Sequence, residues 1–466
     1  MSSRREFLKT IAAGVAIAAH PLPARLDAQA LDDPWREVPR ILARIKPPVF
    51  AARDFDVTKY GAVGDNVKDN TAAFRAAIAA CRRAGGGRVV VPAGEFLTGA
   101  IELKSGVSLH VMSSGTIRFM RDAAKYPLVF TRWEGMELMN FSPFIYAYEQ
   151  ENIGITGSGT IDGNADCEHW WPWKGRTNCG WRRGDPNQDA DRAALLDMVD
   201  RATPVAQRIF GPRHYLRPMF IQPYRCTNIL IEGVRLRNSP MWQVHPVLCR
   251  NVTVKDLDIK SEGPNTDGCD PESCTDVLIT NCVFDTGDDC IAIKAGRNAD
   301  GRRVKAPSEN IVIERCRMRN GHGGITIGSE ASAGVRNVFA EECQLESPQL
   351  DIAVRIKNNA MRGNVIENVF VRRLEIGQVA QAALAIDFYY EEGASGPFTP
   401  VVRNVVLEHV TTRKADYALY LRGFPHAPIR DVSVVDCDFG GVKNGNLVEH
   451  VEGLSLRNVR INGNLS

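Results

Sequence analysis

Short segments in which apolar and polar residues alternate recur along most of the chain, each directly after an asparagine or aspartate. A period of two residues is typical of a β-strand with one face in the core. From Asn228 onward the copies begin at intervals of 23, 25, 34, 27, 31, 36 and 27 residues. Repeats of this length predict a β-solenoid, whose neighbouring coils bury one shared core. The copies start at Asn152, Asn228, Asn251, Asp276, Asn310, Asn337, Asn368, Asn404 and Asp431.

This pattern predicts an all-β fold, a right-handed parallel β-helix of at least nine coils. The asparagine row can form amide hydrogen bonds between coils stacked about 4.8 Å apart. From Asn228 onward, the position six residues after each row residue holds valine, leucine or cysteine. A cysteine in such a row behaves as a small core hydrophobe. Cys167 and Cys179 lie in a loop outside the repeat and are better disulfide candidates. The predicted core thiols are Cys282, Cys316, Cys343 and Cys437.

The predicted β-helix occupies residues 51–466 as one domain, and residues 31–50 form an N-terminal extension. An amphipathic pattern over residues 70–83 predicts a helix that caps the open N-terminal end of the solenoid. Residues 163–217 interrupt the period and contain four tryptophans, so they are interpreted as an insertion from the solenoid.

The first thirty residues have the order of an export signal. Arg4 and Arg5 precede an apolar stretch at residues 11–19 and small residues at 28–30. This order resembles a twin-arginine signal peptide and predicts a periplasmic or secreted protein. Nine apolar residues cannot cross about 30 Å of hydrocarbon. We therefore expect no membrane span in the mature protein.

Composition excludes some classes of function. The 57 Lys+Arg residues nearly balance the 55 Asp+Glu residues, which argues against a nucleic-acid partner. No C-x-x-C pair is present, so a zinc site has little support, and we expect no metal and no cofactor.

Acidic residues and a histidine recur at related places in consecutive copies. Asp288, in the segment D-T-G-D-D-C, and His322, in G-H-G-G, each lie twelve residues after the row residue of their own copy. Equal offsets predict that both side chains lie on the same face of successive coils. Asp267, in P-N-T-D-G-C-D, lies sixteen residues after its row residue and needs a longer turn to join them. Gly287 allows a bend through which Asp288 and Asp289 both face outward.

Three crowded carboxylates cannot all ionise easily, so the pKa of one should rise. A neutral carboxylic acid beside ionised carboxylates is the arrangement that glycosidic cleavage needs. Arg355 and Lys357 alternate around the apolar Ile356 and would bind a substrate carboxylate. Tyr390, in F-Y-Y-E-E-G, could stack on a sugar ring or form a hydrogen bond to it.

The motifs N-T-D-G, G-D-D, G-H-G and R-I-K, in this order and spacing, resemble glycoside hydrolase family 28, the polygalacturonase family, and its bacterial exo-acting members. The likeness extends from about Phe55 to the C-terminus. It implies inverting hydrolysis of α-1,4-linked galacturonic acid, so that a pectic polysaccharide or oligogalacturonide is the expected partner. By this resemblance Asp288 is the general acid, and Asp267 and Asp289 hold and activate the water.

The resemblance also implies that His322 orients the neighbouring carboxylates, and that Arg355, Lys357 and Tyr390 hold galacturonate on the leaving-group side. The insertion at 163–217 could close one end of the cleft, which favours attack at a chain terminus. The alternatives are a calcium-dependent pectate lyase on the same fold, an endo-polygalacturonase, a rhamnogalacturonan hydrolase, and a polysaccharide-binding solenoid without activity. The family branch that cleaves rhamnogalacturonan departs from part of this acidic and histidine set, which is complete in this sequence.

Overall fold

A computed structural model describes residues 33–466, and its strands stack into a right-handed parallel β-helix, which confirms the predicted fold class. The export signal predicted at residues 1–30 lies outside the described residues. In each of the long sheets the strand order follows the chain order, so every coil stacks on the one before it.

Two sheets contain thirteen strands each. Sheet 1 consists of Asp54–Asp56, Gly87–Val91, Val107–Val111, Glu151–Gly157, Thr227–Glu232, Arg250–Lys255, Thr275–Thr280, Ser308–Glu314, Val335–Glu341, Asn364–Arg372, Pro400–Glu408, Ile429–Val435 and Val451–Arg457. Sheet 2 consists of Gly94–Thr98, Gly115–Phe119, Thr160–Asp162, Arg235–Arg237, Asp258–Ser261, Val283–Thr286, Arg317–Met318, Gln344–Glu346, Glu375–Gln378, Thr411–Thr412, Asp438–Phe439, Arg460–Ile461 and Asn464–Leu465.

The third wall of the solenoid, sheet 3, has two parts. Single-residue bridges at Val244 and Cys269 connect these parts across two coils. The first part consists of Ile101–Glu102, Ile145–Tyr148 and Ile221–Tyr224. The second part consists of Ile291–Ile293, Gly321–Ile327, Leu350–Lys357, Ala382–Asp387, Tyr417–Arg422 and Asn446–Glu449.

The described α-helices are α1 (Glu37–Arg44), α2 (Thr71–Arg83), α3 (Asp189–Asp200) and α4 (Asn298–Val304). Short 3₁₀ turns lie at Pro34–Arg36, Val57–Tyr60, Ala123–Lys125, Trp171–Lys174, Thr177–Cys179 and Val205–Gln207. None of the helices in residues 33–466 is long and apolar enough to cross a membrane.

The predicted asparagine row is a hydrogen-bonded ladder. Along the row the amide Nδ2 of one asparagine donates to the side-chain oxygen of the previous row residue. The distances are 3.0 Å from Asn228 to Asn152, 2.6 Å from Asn251 to Asn228, 3.2 Å from Asn310 to Asp276, 3.1 Å from Asn337 to Asn310, 3.0 Å from Asn368 to Asn337, and 2.7 Å from Asn404 to Asn368. Every residue of this row has φ between 54° and 59°, a left-handed conformation that asparagine and aspartate tolerate better than most other residues.

The cysteine prediction is confirmed for the repeat. Cys282, Cys316, Cys343 and Cys437 lie in the main apolar cluster inside the solenoid, at most 2% exposed. Cys167 and Cys179 are free thiols in this structure, as are the other cysteines of the described chain.

The predicted capping helix is α2, which covers the N-terminal end of the solenoid. Its buried residues Phe74, Ile78 and Cys81 belong to the main core cluster. Helix α1 lies in the stretch that was assigned only to an extension. It packs on the outer face of sheet 1 through Val38 and Ile41, and Trp35 in the preceding 3₁₀ turn contacts Phe339 with 5.6 Å between ring centroids.

An antiparallel hairpin of Leu128–Trp133 and Met136–Phe141 interrupts the solenoid before the predicted insertion, and it was not predicted. The strand Ile209–Phe210 extends this hairpin. Helix α3 packs there through Leu195 and Val199. The hairpin and the insertion together therefore form one structure beside the coils.

The ladder predicts the stability of variants at Asn337, whose amide bonds Asn310 and Asn368. Asn337→Gly keeps the left-handed turn but loses both amide contacts, so we expect a loss of about 1–2 kcal/mol in unfolding free energy. Asn337→Ala adds a Cβ at positive φ and should lose about 1 kcal/mol more. Urea denaturation monitored by circular dichroism measures the unfolding free energies, which should decrease in the order wild type, Asn337→Gly, Asn337→Ala. Equal stability of all three proteins would show that the ladder contributes nothing.

Candidate active site

The candidate catalytic residues come from consecutive coils and meet where sheet 2 turns into sheet 3. Asp288 and Asp289 lie between the strands Val283–Thr286 and Ile291–Ile293, with Asp267 one coil before and His322 one coil after. One carboxylate oxygen from each of the three aspartates lies within 4.8 Å of the others. The longer turn expected for Asp267 does bring it into the group.

Close packing explains the glycine before the aspartate pair. A Cβ on Gly287 would lie 2.2 Å from the carbonyl oxygen of Gly263 in the previous coil, so no larger residue fits without a shift. The outward bend predicted here is present for Asp288, whose side chain is 18% exposed. Asp289 lines the same cavity, but neighbouring side chains cover it completely.

The three aspartates open into a cavity of about 370 Å³. All seven residues proposed from the sequence line it, together with several charged residues that were not proposed. The lining consists of Glu134, Lys174, Arg192, Trp242, Asn265, Asp267, Asp288, Asp289, Lys294, Arg297, His322, Ser329, Glu330, Asp351, Arg355, Lys357, Tyr390 and Glu391.

His322 and Asp288 form an ion pair at the mouth of the cavity, with Nδ1 3.0 Å from Oδ1. The hydrogen bond and charge of Asp288 raise the pKa of His322 to about 9. Burial raises the pKa of Asp288, but the hydrogen bond from His322 and nearby cations outweigh burial and hold that pKa below its usual range. Near neutral pH the pair therefore carries one shared proton, which is held mainly by the imidazole.

Asp267 is the carboxylate whose pKa rises. Burial, and then the charge of Asp288, raise the pKa of Asp267 to about 7, although Lys294 opposes the shift with its Nζ 3.4 Å from Oδ2. The sequence predicted one raised pKa among the three carboxylates, and the structure assigns it to Asp267, whose neighbouring lysine is shared with Asp270 and Glu330. Lys294 is itself enclosed by carboxylates and lies 4.1 Å from the centroid of the Trp242 ring.

Asp289 faces the strand that carries the predicted substrate-binding cations. Lys357 Nζ lies 2.7 Å from Asp289 Oδ2, and Arg355 Nη1 lies 3.7 Å from its Oδ1. Ile356, between them, is buried in the core, as the alternation predicted. The Tyr390 ring lies 5.5 Å from the Arg355 guanidinium and 5.1 Å from the Lys357 ammonium, so these three side chains form one surface.

Sequence reasoning missed Arg217 and Asn265, which support Asp288 through hydrogen bonds. Arg217 is completely buried at the end of the insertion, and its Nη2 donates to Asn265 Oδ1 at 2.8 Å. The Asn265 amide then donates to Asp288 Oδ2 at 3.3 Å. Asn265 stands in the motif N-T-D-G and could have been considered. Arg217 carries no motif, and only the structure reveals it.

The segment between Lys294 and Lys305 contains three arginines, which lie in different surroundings. Arg297 Nη1 lies 3.2 Å from both Glu134 and Glu330 beside the cavity. Arg302 and Arg303 turn away from the cavity, and Arg303 pairs with Asp300 at 2.8 Å.

The insertion and the hairpin bound the cavity on the side of the earlier coils. Lys174 and Arg192 come from the insertion, and Glu134 comes from the hairpin, with Arg192 Nε 2.6 Å from Glu134 Oε2. The Trp171 indole lies against Gly263, where a Cβ would be 2.2 Å from the ring, and its Nε1 donates to the Ser239 carbonyl at 2.9 Å. Indole packing therefore fixes this wall to the coils that precede Asp288.

Comparison with known proteins gives consistent matches. A family model described as Glycosyl hydrolases family 28 matches residues 213–454, and one described as Rhamnogalacturonase A/epimerase, pectate lyase-like matches residues 55–120. The crystal structure of a hyperthermoactive exopolygalacturonase from Thermotoga maritima is 44% identical, with a TM-score of 0.89, and the match covers 92% of this chain and 96% of that one.

Two curated relatives are more distant. A probable polygalacturonase from Vitis vinifera is 26% identical over 414 residues, which is 85% of this chain and 76% of that protein. An exo-poly-alpha-D-galacturonosidase from Dickeya chrysanthemi is 28% identical over 357 residues, which is 72% of this chain and 57% of that protein.

The raised pKa of Asp267 predicts a pH-dependent stability difference. In the folded protein the pKa of this carboxyl is about 7, whereas its ordinary value, expected in the unfolded chain, is 3.8. The folded protein therefore binds this proton more tightly than the unfolded chain does. The wild type therefore loses stability as the pH rises between these values. Asp267→Asn cannot ionise at this position. The Tm of the variant relative to that of the wild type should therefore increase as the pH rises from about 4 to about 8. The same change at the exposed Asp438 is the control. A difference that stays constant with pH would contradict the assignment.

Proposed function

Because the chain belongs to glycosyl hydrolases family 28, we propose that it hydrolyses the α-1,4 bonds of polygalacturonate from the non-reducing end of the polymer. The observation that carries this proposal is the cluster of Asp267, Asp288 and Asp289 beside a proton-holding His322 in one cavity. Cations surround this cluster, as expected for a polyanionic substrate.

Asp288 is the proposed general acid. It is the most exposed of the three aspartates, so it can reach a glycosidic oxygen in the cavity. Its proton is held on His322 in the free enzyme and passes along the 3.0 Å contact to Asp288 as charge develops on the leaving oxygen. His322 is thus the proton reservoir of the acid as well as its orienting partner.

Asp267 and Asp289 are the proposed water-holding carboxylates. Each is buried and faces an ammonium group, Lys294 at 3.4 Å and Lys357 at 2.7 Å. The oxygens of the cluster lie within 4.8 Å, closer than the roughly 6.5–9.5 Å usual for inverting glycosidases. In both Asp267 and Asp289, Oδ2 faces a lysine, whereas Oδ1 is buried without a hydrogen-bond partner among the described residues and can accept a hydrogen bond from a water between the two. We therefore propose inversion, in which water attacks the anomeric carbon and gives its proton to the ionised carboxylate of this pair, while the glycosidic bond breaks and its oxygen takes the proton from Asp288.

Terminal attack follows from the unequal ends of the cavity. On the side of the earlier coils it is bounded by Lys174, Arg192 and Glu134. On the side of the later coils it continues into a groove of about 170 Å³, which shares Arg355, Lys357 and Tyr390 with the cavity and extends along Tyr417 and Tyr420. The leaving-group side is thus open along the later coils, whereas the opposite side accepts a chain end.

The arrangement of lysines favours hydrolysis over a calcium-dependent lyase. Three carboxylates within 4.8 Å could ligate a divalent cation. Lys294 and Lys357 already supply positive charge to two of them at 3.4 Å and 2.7 Å, so a calcium ion would face strong repulsion at this place.

We also propose that the enzyme acts outside the cytoplasm. The twin-arginine pattern at residues 1–30 supports export, and a polymeric pectic substrate cannot enter the cell to meet an internal enzyme.

Loss of the proposed acid predicts loss of turnover. Asp288→Asn removes the proton donor and should lower kcat on polygalacturonate by about 10²–10⁴-fold. Circular dichroism and Tm should remain close to those of the wild type. Asp285→Asn changes a nearby carboxylate outside the cavity, which pairs with Asn320 at 2.6 Å, and should keep most of the activity. Near-normal turnover of Asp288→Asn would eliminate the acid assignment.

Early products test the terminal and inverting mode. Chromatography of a polygalacturonate digest should show one short product from the first minutes, and proton NMR should show its β-anomer first, since inversion converts the α-linkage. A ladder of mixed oligomers would contradict terminal attack. The α-anomer first would mean retention, with an aspartate as nucleophile. An unsaturated product, detected by its ultraviolet absorbance and abolished by a chelator, would show that the protein is a calcium-dependent lyase and would contradict hydrolysis.

A further inference from the structure

The cations that line the cavity differ in how fully they are engaged by the protein. Arg192 pairs with Glu134 at 2.6 Å, Lys357 with Asp289 at 2.7 Å, and Lys294 with Glu330 at 3.3 Å. Arg297 also pairs with Glu330, at 3.2 Å. These four side chains are committed to carboxylates of the protein before any substrate binds.

Lys174 differs from them. Across residues 33–466, its Nζ makes no hydrogen bond, and no carboxylate oxygen lies within 4.0 Å of it. The side chain is half-buried and lines the cavity. Burial lowers the pKa of Lys174, and the charges of Glu134 and Asp288 only partly offset this effect. An ammonium withdrawn from water without a direct counter-ion is unfavourable until an anion binds to it.

The position of Lys174 is fixed by the tryptophans that precede it. Trp170 is 2% exposed in the main core, with its ring 5.6 Å from that of Phe144. The Trp171 indole donates a hydrogen bond to the Ser239 carbonyl, and the Trp173 carbonyl accepts a hydrogen bond from the backbone N–H of Gln188 at 2.7 Å. Lys174 ends this short turn, so its backbone is anchored and only its side chain can adjust to a ligand.

The turn Trp171–Lys174 lies on one side of the three aspartates, and the proposed leaving-group residues, such as Arg355, lie on the other side. Trp171 packs on the coil of Gly263, which precedes the coil of Asp288, whereas Arg355 lies two coils after Asp288. Coils are about 4.8 Å apart, close to the length of one sugar in a polymer. A bond cleaved above Asp288 would thus have one sugar toward Arg355 and the terminal sugar toward Lys174.

We propose that Lys174 is a specificity-determining residue, whose ammonium binds the carboxylate of the terminal sugar and makes the enzyme require a uronate there. This inference rests on the proposed function and extends it to the substrate class at the closed end of the cleft. Neutral sugars and methyl-esterified uronates lack the anion and leave Lys174 without its partner.

The test compares trigalacturonate with the same trimer methyl-esterified only at its non-reducing sugar. For the wild type, esterification should raise KM by about 10- to 100-fold, the range for a hydrogen bond between charged groups. Lys174→Met should have the raised KM already with unesterified trigalacturonate, and its KM should be the same for the two trimers. Lys174→Arg should restore most of the discrimination. Lys443→Met, the same change at an exposed lysine outside the cavity, is the matched control.

The outcomes are distinct. If Lys174→Met keeps the wild-type KM, or still discriminates between the two trimers, the role of Lys174 is wrong, and the proposed function is unaffected. If the wild type does not cleave either trimer, calorimetric titration of digalacturonate into wild type and Lys174→Met still decides the binding role. Weaker binding by the variant alone supports it. Equal binding, or no binding by either protein, overturns it.

Discussion

The structure depends on one constraint, the stacking of successive coils in register. Backbone hydrogen bonds run between coils in the parallel sheets, so no coil can bury its apolar face or pair its strands alone. Each coil must therefore turn at the same place, and the asparagine row meets this need twice. Its members adopt the left-handed backbone of the turn, and their amides join each turn to the next. Between these fixed points the coil length is free, which is why intervals of 23 and 36 residues coexist in one solenoid.

The same constraint made the fold and the position of the aspartate–histidine cluster predictable from the sequence, and its limits explain what was missed. Equal offsets from the row located Asp288 and His322 beside each other, because register carries a lateral position from coil to coil. Helix α1 was missed although the row held a signal for it. The position two residues after each row residue faces outward, yet it is apolar in consecutive coils, at Leu278, Val312, Phe339 and Phe370. An outward row of this kind needs a covering element, and α1 covers it.

Electrostatic roles were less predictable than positions. Crowding alone requires that one carboxylate hold a proton, but it does not say which one. The choice depends on depth and on charges that arrive from unrelated parts of the chain. Asp267 and Asp289 are both buried, but Lys357 lies 2.7 Å from Asp289, whereas the lysine beside Asp267 is 3.4 Å away and is shared with other carboxylates. Asp288 is more exposed and gains a histidine from the next coil. A pattern of offsets contains no information on burial by an insertion or on a lysine such as Lys294, so the site electrostatics needed the coordinates.

The proposed catalytic residues and the proposed selectivity residue belong to different parts of this molecule, and their separation has a physical reason. Groups that move protons must be held to within a fraction of an ångström, which coils in register provide. A cleft end must instead vary with the substrate, and a solvent-facing turn tolerates a long insertion. The two parts are nevertheless joined through Arg217, which leaves the insertion, holds Asn265, and thereby reaches the carboxylate of Asp288. Any change that loosens the insertion would therefore alter the environment of the acid as well as the shape of the cleft.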